Sequence, residues 1–366
     1  MRVQRVVMSS GAVSSTVLSN GLVIEPVEQF LAHLSAIERS PNTVKAYAHD
    51  LSDFFSYLQI RDLEWTAVRL EDLGRFVAWL RLPGEERTGQ VVSLPWVEGV
   101  LSASTVNRKL SALASFYEFH ARHGVDVARL LTRWRPGRRG GSWKPFLAHL
   151  GARPERQQTV GLRRERRAPR ELGAMEMKGL IEGCPRLRDR FLLSLLAGTG
   201  LRVGEALALR HEDIDARRCE IAVRQRLNAN GARAKTWSRE VPVDAGLIRL
   251  YSDYLHDEYG TLDCDYVFVN LWGKPVGSPM TYASVYRLVR RLRADTGIEF
   301  NPHLFRHSYA TNLLRRGVPP EVVQKLLGHA SISTTIDTYS HLGAEDARRA
   351  LVAAGVLSEV SPRPAA

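Results

Sequence analysis

The sequence predicts a mainly helical protein with one small antiparallel sheet, divided into two domains by a basic stretch. Three observations carry that expectation. The chain of 366 residues exceeds what one ordinary hydrophobic core serves. Its first half repeats apolar residues at helical spacing, whereas its second half mixes that spacing with short alternating runs. Between the halves, residues 133–170 hold twelve Lys or Arg against Glu155 and Glu165, a net +10 of a whole-chain charge of +12.

Residues 1–21 read as an N-terminal extension, a short strand or tail. A helical domain is expected over 22–132. Phe30, Leu31 and Leu34 share one face of a helix over 27–36. Ser40-Pro41-Asn42 is a turn and cap before a helix over 43–58, in which Val44, Tyr47, Leu51, Phe54, Phe55 and Leu58 recur at three and four. Further helices are expected over 71–82 and from Ser104-Thr105 to 122, the latter with Leu110, Leu113, Phe116, Tyr117 and His120 as its stripe. A polar loop with Gly84 and Gly89 separates them.

Pro136, Gly140-Gly141, Pro154 and Pro169 interrupt regular structure in 133–170, which reads as an interdomain linker. It is either simply solvated or crosses a phosphate backbone, with Arg138 and Arg139 among its contacts. Charge of this density favours the second, because like charges repel until a polyanion neutralises them.

A mixed domain follows over 171–356, with a tail at 357–366. Helices are expected over 174–183, 188–197 and 203–209. Residues 220–226 and 239–243 alternate as strands joined through Asn228-Ala229-Asn230-Gly231, and 266–270 reads as a third short strand. Helices then return over 278–295, 304–316, 321–327, 333–339 and 344–353.

Composition narrows the class of function. Apolar residues at 44% and charged residues at 25% describe a soluble globular chain. Of 51 basic residues 44 are Arg, which codon bias explains, but bias does not explain the excess over 39 acids. A polyanion, most simply nucleic acid, is the expected partner. Cys184, Cys219 and Cys264 form no CxxC pair, as suits a reducing cytoplasm. Residues 1–16 have no signal-peptide core, and the longest apolar run, 191–198, is far below the roughly 20 residues that span a membrane.

The residues that carry chemistry gather late. His303 and Arg306 lie three apart, His329 follows 23 residues after Arg306, and Tyr339 ten after that. Upstream, Gly198-Thr199-Gly200-Leu201-Arg202 turns into a helix that begins with Val203-Gly204-Glu205. Attack on a phosphodiester builds charge on its non-bridging oxygens, and two guanidiniums, Arg202 and Arg306, answer it with permanent charge and bidentate donors. Each is otherwise an ordinary ion-pairing arginine. Tyr339 is the candidate nucleophile and needs cationic surroundings, because a phenol of pKa about 10 is weak at neutral pH. His303 and His329 are placed to donate to a phosphate or to move protons. His303 and His307 are four apart, but residue 304 is Leu, so the HExxH metal pattern fails. A leaving alkoxide calls for an acid. Of seven lysines only Lys235 lies between the two strands.

Thr199-Gly200-Leu201-Arg202-Val203-Gly204-Glu205, the Lys235 hairpin ending in Val241-Pro242, His303-xx-Arg306-His307, Leu327-Gly328-His329 and Tyr339 together resemble the catalytic signature of the tyrosine recombinases, the phage integrase family. The resemblance spans about 170–350. It implies that Arg202 and Arg306 bind the scissile phosphate, that His303 and His329 assist, that Lys235 is the general acid and that Glu205 supports the site from behind. Tyr339 would then attack to give a 3′-phosphotyrosine and a free 5′-hydroxyl, with no cofactor and no metal. Residues 40–58 and 104–119 resemble the family's helical, SAM-like core-binding domain, so that the two domains would clamp a duplex as a C. The family works as a tetramer on two specific DNA sites, in some cases with accessory proteins. The extra N-terminal residues and the long basic linker are more similar to larger integrases or transposon-borne members than to the compact Xer type. Integration, excision or transposition of a mobile element is the implied role, in the cytoplasm at the nucleoid.

Base readout is expected from the helix over 280–293, with Tyr282, Arg287, Arg290 and Arg291, or from the helix that carries Arg108 and Lys109. Either is equally a phosphate-contacting or solvated face. Lys45 is a further candidate DNA contact. A C-terminal helix with Leu351, Val352 and Val356 docks either in a neighbour or on its own subunit. A type IB topoisomerase would share the catalytic set, but the helical first domain argues for a recombinase. A repressor that only binds DNA would lack Tyr339, Arg202 or Arg306, and a nucleoid structural protein would spread its charge more widely.

Overall fold

A computed structural model describes residues 1–7, 13–83, 87, 101–125, 127–135, 155–163, 170–234 and 237–328. Two compact units divide the chain, 1–166 and 167–366.

The first unit is built on four helices: α1 (Glu25–Ala36), α2 (Pro41–Arg61), α3 (Leu70–Leu80) and α4 (Ala103–Ala121). Ser40 caps α2 by accepting a hydrogen bond from the Thr43 amide at 3.2 Å, and Pro41 occupies the first helical position, where no amide is needed. Ser102 caps α4 in the same way, so that helix starts slightly ahead of the expected Ser104. Phe30, Phe54, Phe76, Phe116 and Tyr117 are essentially inaccessible and pack largely edge to face, an arrangement that favours the ring quadrupoles.

The N-terminus is more than a strand or tail. Strands β1 (Arg2–Val7), β2 (Val13–Ser19) and β3 (Leu22–Val23) form an antiparallel sheet in that order. Val17 of β2 is fully buried in the helical core, and the Thr16 hydroxyl donates to Glu28 on α1. The basic stretch also departs from expectation. After a short helix α5 (Ala128–Leu131), β4 (Thr132–Arg135) pairs antiparallel with β5 (Glu155–Gln158). The chain then returns to the first unit, where Val160 and Leu162 pack on its core. The Asn107 side chain, 8% exposed on α4, donates to the Leu162 carbonyl and accepts from the Leu162 amide, both at 2.8 Å. A primary amide has one donor and one acceptor side, so it completes a backbone pair as a neighbouring strand would.

The second unit centres on α7 (Leu187–Thr199), whose Phe191, Leu192, Leu193, Leu195 and Leu196 are all buried. Apolar residues all round a helix place it inside rather than against a core. Around it lie α6 (Ala174–Glu182), α8 (Val203–Leu207), α9 (Ala245–Tyr254), α10 (Tyr282–Thr296), α11 (Pro302–Arg315) and α12 (Pro320–Leu327). A small antiparallel sheet runs β6 (Ile214–Asp215), β7 (Glu220–Val223), β8 (Arg239–Pro242). Its third strand is β6, not 266–270. That segment makes only isolated bridges, Arg210 to Tyr266 and Val269 to Pro279, because two different loops meet it one residue at a time. Helix α9 was not expected, although Asp244 caps it and Leu247, Ile248, Tyr251 and Tyr254 line its buried face. No helix among the described residues is long and apolar enough to cross a membrane.

Replacing Asn107 by Ala strands both backbone groups of Leu162. We expect a loss of about 1–3 kcal/mol in denaturant unfolding, with faster proteolytic cleavage after residue 131.

Candidate DNA-cleavage site

The site starts where α7 ends. Gly200 closes that helix in the left-handed region at φ +63°, and a Cβ there would lie 2.6 Å from the Tyr309 ring and 2.9 Å from Leu327. Only glycine meets both demands. Two residues on, Arg202 is the N-cap of α8. Glu205, at the third position of α8, reaches back and accepts from the Arg202 amide at 3.0 Å. Its other oxygen accepts from Arg202 Nη1, also at 3.0 Å. The rest of the Arg202 side chain is 28% exposed and stands on the wall of a cavity of about 610 Å³, together with Tyr282 and His303.

Arg306 approaches from α11 and is 2% exposed. Its Nη1 donates to the Gly200 carbonyl at 2.8 Å and its Nη2 to the Leu327 carbonyl at 2.7 Å. The ends of α7 and α12 are thus joined through one guanidinium. Helix C-termini carry unsatisfied carbonyls and partial negative charge, so they suit a buried cation.

His303 lies in the first turn of α11, where Asn301 caps the helix by accepting from the His303 amide at 2.9 Å. His303 is exposed at the surface as a residue, yet protein crowds its ring. That desolvation first, then the charges of Arg306 and Arg202, push its pKa below the ordinary value. The imidazole is therefore neutral at pH 7. Glu205 is held ionised. Burial alone would raise its pKa, but the hydrogen bond and charge of Arg239, with help from Arg202, outweigh burial and lower it.

Arg239 is the member that sequence reasoning missed. It opens β8 with a side chain 3% exposed, donates to both Glu205 oxygens at 3.3 and 2.9 Å, and gives its Nε to the Leu326 carbonyl at 2.7 Å. Its signal was present. Arg239 and Val241 are the inward positions of an alternating strand, and an inward arginine requires a buried acceptor.

The structure therefore brings together Arg202, Glu205, His303 and Arg306. Lys235, His329, Tyr339, Arg138 and Arg139 lie outside the described residues. The loop leading to Lys235 has a fixed base, since the Asn230 amide donates to the carbonyls of Leu207 at 3.0 Å and Met280 at 2.9 Å. On α10, Arg287 and Arg290 are exposed. Tyr282 is about half exposed, with its hydroxyl seated over Gly204, where a Cβ would meet it at 2.0 Å. Lys45 is exposed on α2. Arg108 is half exposed and paired with Asp50. Lys109 corrects an expectation: it is 7% exposed, with its ammonium shared between Asp50 at 3.1 Å and Asp53 at 2.6 Å, so it ties α4 to α2 instead of facing a ligand.

Comparison with known proteins places this geometry. The model of the phage integrase family matches residues 170–346, and that of the phage integrase N-terminal SAM-like domain matches 27–124. The chain belongs to the phage integrase family. It is a tyrosine recombinase, a class of DNA strand-exchange enzymes. Transposase A from transposon Tn554 of Staphylococcus aureus is 37% identical over 331 residues, covering 88% of this chain and 89% of that protein. Tyrosine recombinase XerA of Pyrococcus furiosus is 28% identical over 340 residues, covering 92% and 96%. Among solved structures, the Tn1549 transposon integrase in complex with transposon right end DNA shares the fold at a TM-score of 0.61 and 16% identity, covering 90% of this chain and 99% of that one.

Lys109→Met tests its structural role. It should cost about 3–5 kcal/mol of stability, as when one partner of a buried ion pair is removed. The slope of DNA affinity against salt should stay unchanged, whereas loss of a phosphate contact lowers that slope by about one unit.

Proposed function

We propose that Tyr339 is the nucleophile with which this tyrosine recombinase cuts and rejoins duplex DNA at specific sites, in the service of a mobile element. Arg202 and Arg306 hold the non-bridging oxygens of the scissile phosphate. The Tyr339 oxygen attacks phosphorus, the bond from phosphorus to the 5′ oxygen breaks, and a 3′-phosphotyrosine forms. The departing 5′ oxygen takes a proton from Lys235, while the phenol proton passes to a neutral histidine, His303, with His329 donating to the phosphate. Rejoining runs the same steps backwards. The ester bond is conserved in the intermediate, so no external energy source is required.

One observation carries this reading: two guanidiniums of different elements, Arg202 and Arg306, are fixed about the Gly200 turn with a neutral imidazole beside them. Such a preorganised pair stabilises charge that develops on a phosphate without having to reorganise. The kinship with Transposase A from transposon Tn554 supports transposition as the setting. We further propose that the active assembly is a tetramer on two DNA sites in the cytoplasm, with the basic segment around Arg138 and Arg139 on the DNA backbone. Arg287, Arg290 and Tyr282 contact DNA from α10, with Lys45 and Arg108 doing so from the first unit.

Footprinting on the DNA that flanks the gene identifies the site, and a nicked duplex of that site traps the covalent complex. Wild-type protein should accumulate a protein–DNA adduct, and Tyr339→Phe none; adducts from Tyr339→Phe would falsify the assignment. The adduct-forming rate should climb as pH rises through the depressed pKa of His303, below 6.5, and level off above it. In His303→Gln that acid limb should vanish and the rate fall by about 10²-fold.

A further inference from the structure

We infer that Arg239 is a positioning residue of the strand-exchange site, acting through Glu205 on Arg202 and through Leu326 on the end of α12. This rests on the reading of Arg202 as a phosphate ligand. The Arg239 guanidinium binds on two sides. Nη1 and Nη2 grip both oxygens of Glu205, and Nε holds the Leu326 carbonyl. The same two Glu205 oxygens hold the amide and Nη1 of Arg202. Glu205 is therefore a shared plate between two guanidiniums, one buried and one opening on the cavity.

Each contact fixes a different part of the site. Without Arg239, Glu205 would lose the buried guanidinium that holds both of its oxygens, and a buried carboxylate so weakened turns or takes a proton more readily. Gripped in fork geometry by Arg239, it has one orientation and a permanent charge. Arg202 is then aimed by a rigid acceptor. At the other end, Arg239 and Arg306 take consecutive carbonyls, those of Leu326 and Leu327, in the last turn of α12. His329 follows directly in the sequence after Gly328. Arg239 also begins β8, four residues after Lys235. One side chain thus ties the carboxylate behind Arg202 to the last turn of α12 and to the start of β8.

The role is separable from mere stabilisation by the charge of the substrate. In the full-length protein, Arg239→Lys keeps the positive charge but loses the planar fork and its Nε donor. On the nicked duplex, single-turnover adduct formation at saturating protein should fall by about 10²-fold, as expected for a misplacement of about 1 Å in a clamping group. DNA affinity measured by gel shift should stay within about three-fold, because the groups that contact DNA are retained. A methylphosphonate at the scissile linkage carries no negative charge and asks less of Arg202. On that substrate the deficit of Arg239→Lys should shrink to below about ten-fold, in parallel with that of Arg202→Ala. In a cycle with Glu205→Gln, the double variant should be little slower than the worse single one, since both act through one carboxylate.

Arg239→Lys at the wild-type rate overturns the inference. So does an equal deficit on the two substrates, or failure of Arg239→Lys to fold, each of which makes Arg239 a residue of stability alone. Tyr339→Phe serves as the control on the underlying reading. If it forms no adduct while Arg239→Lys matches wild type, the chemistry stands and only the positioning role falls.

Discussion

The guanidinium of Arg306 is the interaction on which the second unit turns. It lies at 2% exposure between two helix C-termini and donates to one carbonyl from each, at Gly200 and Leu327. Burying a cation is costly unless its donors are satisfied. Here the satisfying groups are the orphan carbonyls that helix ends must place somewhere. The arrangement closes two polar deficits with one side chain. Gly200 makes the geometry possible, since its left-handed turn lets the chain leave α7 against the Tyr309 ring and Leu327.

Arginine abundance takes on a second meaning in this light. Codon usage explains why 44 of 51 basic residues are Arg, yet several of them do work that lysine cannot. Arg226 grips both Asp213 oxygens, at 2.7 and 2.8 Å, Arg188 reaches the Val269 carbonyl at 3.0 Å, and Arg293 holds the Phe300 carbonyl through Nε at 2.7 Å. The planar fork acts as an internal tie in loops and at helix ends. The number of arginines therefore overstates the guanidinium donors offered to a polyanion, although the net charge is unaltered.

What the sequence disclosed follows the range of the interactions involved. Helices with an apolar stripe and a local cap, such as α2 after Ser40-Pro41, were legible because their determinants lie within one or two turns. The spacing of His303 and Arg306 was legible for the same reason. The β1–β2 hairpin, the β4–β5 ladder and the isolated bridges of 266–270 were not, because short strands exist only through partners that the local pattern does not name. Lys109 and Arg239 were misjudged or passed over on that ground too. The carboxylates that define them, Asp50, Asp53 and Glu205, lie tens of residues away in the chain. Helix α9 is different, since Asp244 and the spacing of its apolar residues were local and readable.

The end of α12 has a consequence for how the molecule opens. Helix termini ordinarily fray one residue at a time, with water replacing each lost hydrogen bond. At Leu326 and Leu327 the released carbonyls would each leave a buried guanidinium behind, and those guanidiniums belong to β8 and α11. Fraying there cannot remain local. The last turn of α12, the start of β8 and the end of α7 are tied to one another through two guanidiniums, so loosening any one of them removes an anchor of the others.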